Sequence, residues 1–101
     1  MRNRKIEIPG SKIEDFCRRH HIKRLALFGS VLSEEFRPDS DVDILVEFEA
    51  GHVPGFFSLH DMEEELSGIV GRSTDLRTPE DLSRYFRTEV IKNSEVLYDQ
   101  K

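Results

Sequence analysis

The strongest run of hydrophobic positions in the chain is Val42–Phe48, in which only two of the seven residues are acidic. Such a run predicts a strand near the centre of a covered sheet. The mixed segment "IKRLALFG" predicts a second strand that ends at Gly29, and "STDLRT" predicts a short third strand. The pattern therefore predicts at least three strands, separated by segments of different character.

Helical periodicity is clearest in "FFSLHDMEEELSGIVG". Its apolar residues recur at steps of three and four, and they are Phe56, Leu59, Met62, Leu66, Ile69 and Val70. Gly71 is the expected end of this helix. An earlier helix is predicted in "GSKIEDFCRRHH", where Ser11 as N-cap and Glu14 three residues later form a capping-box pattern.

Two further helices complete the pattern. A short one is predicted from Ser30 to Phe36 and is followed by a turn at "RPDS" that contains Pro38. The last is predicted over "TPEDLSRYFRTEVIKNSEVLY", with Thr78 as N-cap and Pro79 at the first helical position. The alternation of helices and strands predicts an α/β (α+β) fold in which helices pack on a small sheet.

Composition narrows the function classes. The chain has 101 residues, the size of one compact domain, and a net charge of −5, which argues against direct nucleic-acid binding through bulk charge. Cys17 is the only cysteine, so an intramolecular disulfide is excluded.

The histidines show no metal-ligand spacing and are interpreted as surface or partly packed residues. They are His20, His21, His52 and His60. Without a signal-peptide run or a membrane-length apolar segment, a soluble cytoplasmic protein is expected.

Asp41 and Asp43 stand at the start of the strongest predicted strand. Alternate residues of a strand share a face, so these two carboxylates lie side by side and repel each other. Burying either carboxylate unpaired would be costly. A positive charge is therefore expected between them, unless both lie in open solvent.

Gly29 and Ser30 lie where a predicted strand ends and a predicted helix begins. A helix N-terminus presents unpaired N–H groups that favour a phosphate, glycine lets the phosphate approach the backbone, and a serine hydroxyl adds a donor. Ten residues separate Ser30 from Asp41, enough for the chain to return beside its start. Carboxylate and phosphate oxygens are ligands that Mg²⁺ prefers, so a divalent metal shared with a triphosphate is predicted between Asp41 and Asp43.

Gly-Ser, ten residues, Asp-Val-Asp and an apolar strand together resemble the signature of the polymerase-β-type nucleotidyltransferase superfamily. The short length and the later "GRSTDLRTPEDL" resemble its minimal nucleotidyltransferases, which are often encoded beside a HEPN-domain partner. The resemblance implies a small mixed β-sheet flanked by helices, and residues 1–101 are expected to form one such domain. It also implies a third carboxylate from a later strand, at the position of Asp75.

The resemblance implies an activity as well. Asp41 and Asp43 are expected to hold two Mg²⁺ ions, with Asp75 holding one of them and helping to deprotonate the attacking hydroxyl. The implied reaction moves AMP from ATP to a tyrosine of a HEPN toxin, which would make the chain an antitoxin. Two alternatives stay open: a module that neutralises its partner by occlusion without catalysis, and a nucleotidyltransferase for a small molecule such as an aminoglycoside.

One segment departs from the family pattern. Many minimal nucleotidyltransferases follow Gly-Ser with a small and basic stretch, whereas this chain has Val31-Leu32-Ser33-Glu34. The departure removes a cation from the expected phosphate side and puts nucleotide affinity or turnover in question. Arg37 is either a replacement cation that helps to bind the nucleotide or an ordinary surface residue of the turn.

Overall fold

The computed structural model describes residues 8–32, 37 and 40–100, and describes only the backbone of 30, 56 and 57. It contains three α-helices and four strands in the described residues. They are α1 (Gly10–Arg19), β1 (Ile22–Phe28), β2 (Val42–Phe48), α2 (Phe56–Val70), β3 (Thr74–Arg77), α3 (Arg87–Asn93) and β4 (Glu95–Asp99), with 3-10 turns at Gly29–Leu32 and Pro79–Asp81.

The four strands form one mixed sheet in the order β3-β2-β1-β4. β1 is antiparallel to both β2 and β4, whereas β2 and β3 are parallel and are joined through α2. The predicted α/β class, with a small mixed sheet flanked by helices, is confirmed. The bounds predicted for the strongest strand are also confirmed, and β2 is an interior strand of the sheet.

The hydrophobic core lies on one face of this sheet. On β2, Val42, Ile44 and Val46 are fully buried, and they pack with buried residues of α1 and α2 such as Phe16 and Leu66. Successive strand residues point to opposite faces, so the side chains between them, including Asp43, lie on the other face. The fold thereby keeps the carboxylates of β2 away from its apolar core.

The C-terminal helix predicted from Thr78 to Tyr98 is confirmed only in part: the 3-10 turn Pro79–Asp81 and α3 form within it, whereas its end is a strand. The Asp81 carboxylate accepts hydrogen bonds from the backbone N–H and the hydroxyl of Thr78, both at 3.1 Å, and the 3-10 turn ends there. The last residues then form β4, which pairs Tyr98 with Leu25 of β1. Branched and aromatic residues in "EVLYD" suit a strand, and pairing with β1 overrides their helical periodicity.

Two other boundaries differ from the sequence prediction. α1 begins at Gly10 with Pro9 as its N-cap, and the side-chain cap predicted for Ser11 is not formed. In place of the helix predicted from Ser30 to Phe36, the described part is the 3-10 turn; 33–36 and the predicted turn residue Pro38 lie outside the described residues. None of the described helices combines the length and the apolar character that a bilayer span requires.

Candidate active site

Asp43 and Asp75 are direct partners in the parallel ladder between β2 and β3. Paired residues of neighbouring strands point to the same face about 4.8 Å apart, so the two carboxylates share one patch of the sheet. Both are half-buried. Asp41 lies two residues before Asp43, just outside β2, and is exposed. The structure therefore brings the three predicted carboxylates to the same end of β2.

Gly29 lies directly beneath the carboxylate of Asp43. It has a positive φ of 77°, and its neighbour Phe28 pairs with Asp43 across β1 and β2. A Cβ atom on Gly29 would overlap the Asp43 Oδ2 atom and would lie 3.2 Å from Cγ. Both the backbone angle and the close approach require glycine here. The predicted phosphate turn and the predicted metal ligands are thus neighbours.

Part of the segment that departs from the family pattern belongs to the hydrophobic core. Val31 is fully buried and belongs to the hydrophobic core, and Leu32 packs against that core. The remaining two residues of the departure, 33 and 34, lie outside the described residues, as does the side chain of Ser30. The predicted contact between the Ser30 hydroxyl and phosphate stays a prediction.

Arg72 fixes the segment that leads into Asp41. Its Nη2 atom donates to the backbone oxygen of Arg37 at 2.9 Å and more weakly to that of Ser40 at 3.5 Å. The Ser40 hydroxyl accepts the Arg37 N–H at 3.1 Å. Sequence reasoning missed Arg72, whose only signal was its position just before the third strand. Arg37 itself is exposed, and its nucleotide contact stays a prediction.

Side chains of α2 hold β3 on either side of Asp75. The Thr74 N–H donates to the Ser67 hydroxyl at 3.0 Å, and the Leu76 N–H donates to Glu63 Oε2 at 2.7 Å. Backbone groups of an edge strand otherwise need water or another strand as partners. These two bonds place Asp75 beside Asp43 although β3 has only four residues.

Arg77 forms an ion pair with the third carboxylate. Its Nε and Nη2 atoms donate to Oδ1 and Oδ2 of Asp75, each at 3.2 Å. These bonds raise the pKa of Arg77 above its ordinary value, and the charges of Asp75, Asp81 and Asp43 add to the effect. Sequence reasoning did not select Arg77, although its position two residues after Asp75 on a strand predicts the same face.

The carboxylate cluster suits a hard divalent cation. Asp41, Asp43 and Asp75 offer oxygen ligands only, which is the donor set that Mg²⁺ prefers over the nitrogen and sulfur ligands of zinc sites. Two like charges in direct register on one sheet face repel each other, and a cation offsets that repulsion. The donor chemistry of these residues therefore fits Mg²⁺, and their ligation of the ion stays a prediction.

A groove adjoins the cluster at Gly29. It has a volume of about 500 Å³ and runs between the 3-10 turn and α3. Its lining mixes apolar and polar side chains from β1, the turn and α3; the lining residues are Phe28, Gly29, Leu32, Glu89, Val90 and Asn93. The volume of the groove is sufficient for a planar heterocycle, and the groove is lined in part by Gly29 of the predicted phosphate turn.

Comparison with known proteins agrees with this geometry. The family described as "Polymerase beta, Nucleotidyltransferase" matches residues 11–101. The protein adenylyltransferase MntA of Thermococcus cleftensis is 34% identical over 80 residues, which cover 79% of this chain and 77% of that protein.

Two solved structures share the fold at 20% identity. A toxin–antitoxin structure with AMP-PNP superposes with a TM-score of 0.71, covering 93% of this chain and 76% of that one. A complex of tri-AMPylated Shewanella oneidensis HEPN toxin with its MNT antitoxin gives a TM-score of 0.63, covering 90% and 70%. With the family match and the related adenylyltransferase, the chain belongs to the polymerase beta nucleotidyltransferase family.

Proposed function

We propose that this chain transfers AMP from ATP to a hydroxyl group of a partner protein and releases pyrophosphate. The hydroxyl oxygen bonds to the α-phosphorus while the bond from that phosphorus to the bridging oxygen of pyrophosphate breaks. The hydroxyl proton passes to the Asp75 carboxylate and then to solvent. The observation that carries the proposal is the pairing of Asp43 with Asp75 beside Gly29, because two carboxylates lie next to the turn that we expect to contact phosphate.

The three carboxylates would have different roles. Asp41 and Asp43 would hold two Mg²⁺ ions, and Asp75 would hold one of them. The metal, when bound, supplies charge neutralisation for the triphosphate and the departing pyrophosphate. Asp75, on the edge strand and exposed enough to meet a second substrate, is the residue best placed to accept the proton. Reactions of this type depend chiefly on positioning and electrostatics, which a rigid sheet provides.

The nucleotide would lie along the 3-10 turn. The backbone at Gly29 and the hydroxyl of Ser30 would contact the phosphates, and Arg37, four residues before Asp41, would add positive charge. The groove between Gly29 and Val90 would receive the base, since it continues directly from the phosphate turn. ATP is the expected nucleotide because the related protein is an adenylyltransferase.

The acceptor we propose is a tyrosine of a HEPN-domain toxin, so that the chain acts as the antitoxin of the pair in the cytoplasm, where ATP is supplied. The related Thermococcus protein is named a protein adenylyltransferase, and one structural neighbour pairs an MNT antitoxin with an AMPylated HEPN toxin. An AMP group on a tyrosine near an RNA-binding site would add a bulky anion where RNA phosphates must pass. Inhibition would then outlast dissociation of the two proteins.

The test is to incubate a HEPN protein encoded beside this chain with the chain, ATP and Mg²⁺, and then to separate the two. Intact-mass measurement should show the HEPN protein heavier by whole AMP groups, with its ribonuclease activity lost. An unmodified HEPN protein that regains full activity after separation would leave the occlusion alternative. AMP transfer to an aminoglycoside in the same assay, with no transfer to protein, would favour the small-molecule alternative.

A further inference from the structure

We propose a second metal site in this chain, formed by His21, Glu49 and His52 and suited to Zn²⁺ or a similar transition-metal dication. The rings of His21 and His52 stack with centroids 3.9 Å apart and planes 15° apart. His21 Nδ1 lies 3.8 Å from Glu49 Oε1. One ligand atom from each of the three residues lies within 4.8 Å of the others. Residues 31 positions apart in the sequence thus meet at one point.

The backbone brings these side chains together. His21 forms the turn between α1 and β1 with a positive φ of 56°, and its carbonyl oxygen accepts the Glu49 N–H at 2.9 Å. The carbonyl oxygen of Glu49 in turn accepts the His52 N–H at 3.0 Å. Positive φ is uncommon for residues other than glycine, although histidine tolerates it better than most. The three residues are therefore held by main-chain bonds, independently of any ion.

The carboxylate of Glu49 is already oriented for ligation. Gln100 Nε2 donates to Glu49 Oε2 at 2.6 Å, and the Gln100 N–H is anchored on the Lys23 carbonyl oxygen at 2.8 Å. The other oxygen, Oε1, is the one that faces His21. Outer hydrogen bonds of this kind fix ligating carboxylates in established metal sites.

The ligand set selects the kind of metal. Two imidazoles and one carboxylate suit Zn²⁺, Cu²⁺ or Ni²⁺ rather than Mg²⁺, and three protein ligands leave a position for water. Bonds of about 2.0–2.1 Å place tetrahedral ligand atoms about 3.3 Å apart, so the present atoms need to close by no more than about 1.5 Å. The stacked rings also hold their in-plane nitrogen lone pairs in nearly parallel planes, so a shared ion requires one ring to leave the stack. His52 is exposed and lies in the loop before α2, so rotation of its side chain can supply both movements.

The site is distinct from the aspartate cluster. Glu49 directly follows the end of β2 and lies six residues after Asp43, which corresponds to about 20 Å of extended chain. The two sites also differ in ligand chemistry, with oxygen ligands alone at one and imidazole nitrogen at the other. Occupancy of the histidine site would tie the loop between β2 and α2 to the turn between α1 and β1, and it would stabilise the folded state by mass action.

The test uses the full chain with Asp41→Asn and Asp43→Asn, which removes zinc binding at the aspartate cluster. Calorimetric titration with ZnCl₂ should show one equivalent bound. His52→Ala and His21→Asn, the latter chosen because asparagine tolerates positive φ, should each weaken binding at least tenfold. His60→Ala is the matched control, because His60 is exposed and lies 3.8 Å from Glu64 on α2.

Imidazole nitrogen NMR gives a second readout in the same background. Zinc should shift the ring nitrogens of His21 and His52 and leave those of His60 unchanged. The proposal is overturned if no single equivalent binds, if the His52 variant binds like its parent, or if His60→Ala causes the same loss. Circular dichroism of each variant checks that the fold is retained.

Discussion

Arg77 donates from two guanidinium nitrogens to both carboxylate oxygens of Asp75, two residues earlier on the same edge strand. The residue proposed to accept a proton and to ligate a metal is therefore already paired with a cation. A divalent ion at Asp75 must compete with this pair, or Arg77 must turn toward another anion when the nucleotide binds. In either case, Arg77 influences how readily a metal ion binds at the aspartate cluster.

Replacing Arg77 with Met should lower the Mg²⁺ concentration needed for half-maximal AMP transfer. The pair is partly exposed, with 48% of the Arg77 side chain and 36% of the Asp75 side chain accessible, so its strength is about 1 kcal/mol or less and the shift about fivefold at most. Magnesium titrations of transfer rate measure the effect. A variant that needs more Mg²⁺, or that loses affinity for ATP, would instead show that Arg77 contacts the phosphates.

Gly29→Ala should abolish transfer, because the added Cβ would displace the Asp43 carboxylate. Gly71→Ala is the matched control: Gly71 has a φ of 80°, close to the 77° of Gly29, but a Cβ there would meet no atom within 4 Å. Both variants should lose about 1 kcal/mol of folding stability from the positive φ alone. Urea unfolding and transfer assays on the pair separate backbone strain from damage to the site, and equal activity of the two variants would contradict the assignment of Gly29.

The double substitution Asp41→Asn and Asp43→Asn should eliminate Mg²⁺-dependent transfer and leave the fold intact. Asp41 is exposed, Asp43 lies on the sheet face opposite the hydrophobic core, and asparagine has nearly the size of aspartate, so removal of the two charges relieves repulsion without opening a cavity. Transfer of radiolabelled AMP and thermal unfolding give the two readouts. Wild-type transfer by the double variant would show that the site lies elsewhere.

Val90→Trp should raise the KM for ATP by roughly tenfold, or about 1.4 kcal/mol, because the indole would fill part of the groove beside Gly29. Val53→Trp serves as the control, since Val53 is 73% exposed and does not line the groove. Steady-state kinetics at saturating Mg²⁺ distinguish the two. An unchanged KM in the Val90 variant would place the base outside this groove.

Glu65 links α1 to α2 and should make stability sensitive to acid. Hydrogen bonding from Arg19 lowers the pKa of Glu65 below its ordinary value of 4.5, and a bond of 2.9 Å from His20 adds to the effect. A lowered folded-state pKa contributes stability above the unfolded value, which is lost as the pH falls through the folded value. Melting temperatures between pH 7 and pH 3 should therefore fall less steeply for Glu65→Gln than for wild type.

Glu64→Gln is the control for that acid profile. The Glu64 side chain is 73% exposed and contacts only His60 among the described ion pairs, at 3.8 Å. Its profile should match that of wild type. If the melting temperatures of both glutamine variants change with pH in the same way, the contact between Glu65 and α1 does not determine the loss of stability at low pH.

Much of the fold could be predicted from short-range pattern. The apolar run of β2 and the periodicity of α2 with its glycine end are local signals, and both elements form as predicted. β4 could not be predicted in this way, because its strand state depends on pairing with Leu25 and Ala26, about seventy residues earlier in the chain.

The candidate site also contains residues that local pattern predicts and residues that it does not. The spacing within one segment predicts Asp41, Asp43 and Gly29, and the resemblance to the family predicts Asp75. Arg72 was missed because its hydrogen bonds reach backbone oxygens 32 and 35 positions away. The meeting of His21 with His52 was missed for the same reason, since no spacing rule relates a turn before β1 to a loop after β2.

The hydrogen bonds that the N–H groups of Thr74 and Leu76 donate to Ser67 and Glu63 have a consequence for assembly. An edge strand with open N–H groups can template another strand, in a partner or in an aggregate, whereas here α2 already occupies donors of both Thr74 and Leu76. Strand addition at β3 would first have to break these bonds and would disturb Asp75. Of the two edges of the described sheet, β4 is therefore the one at which a second chain could extend the sheet without disturbing the aspartates.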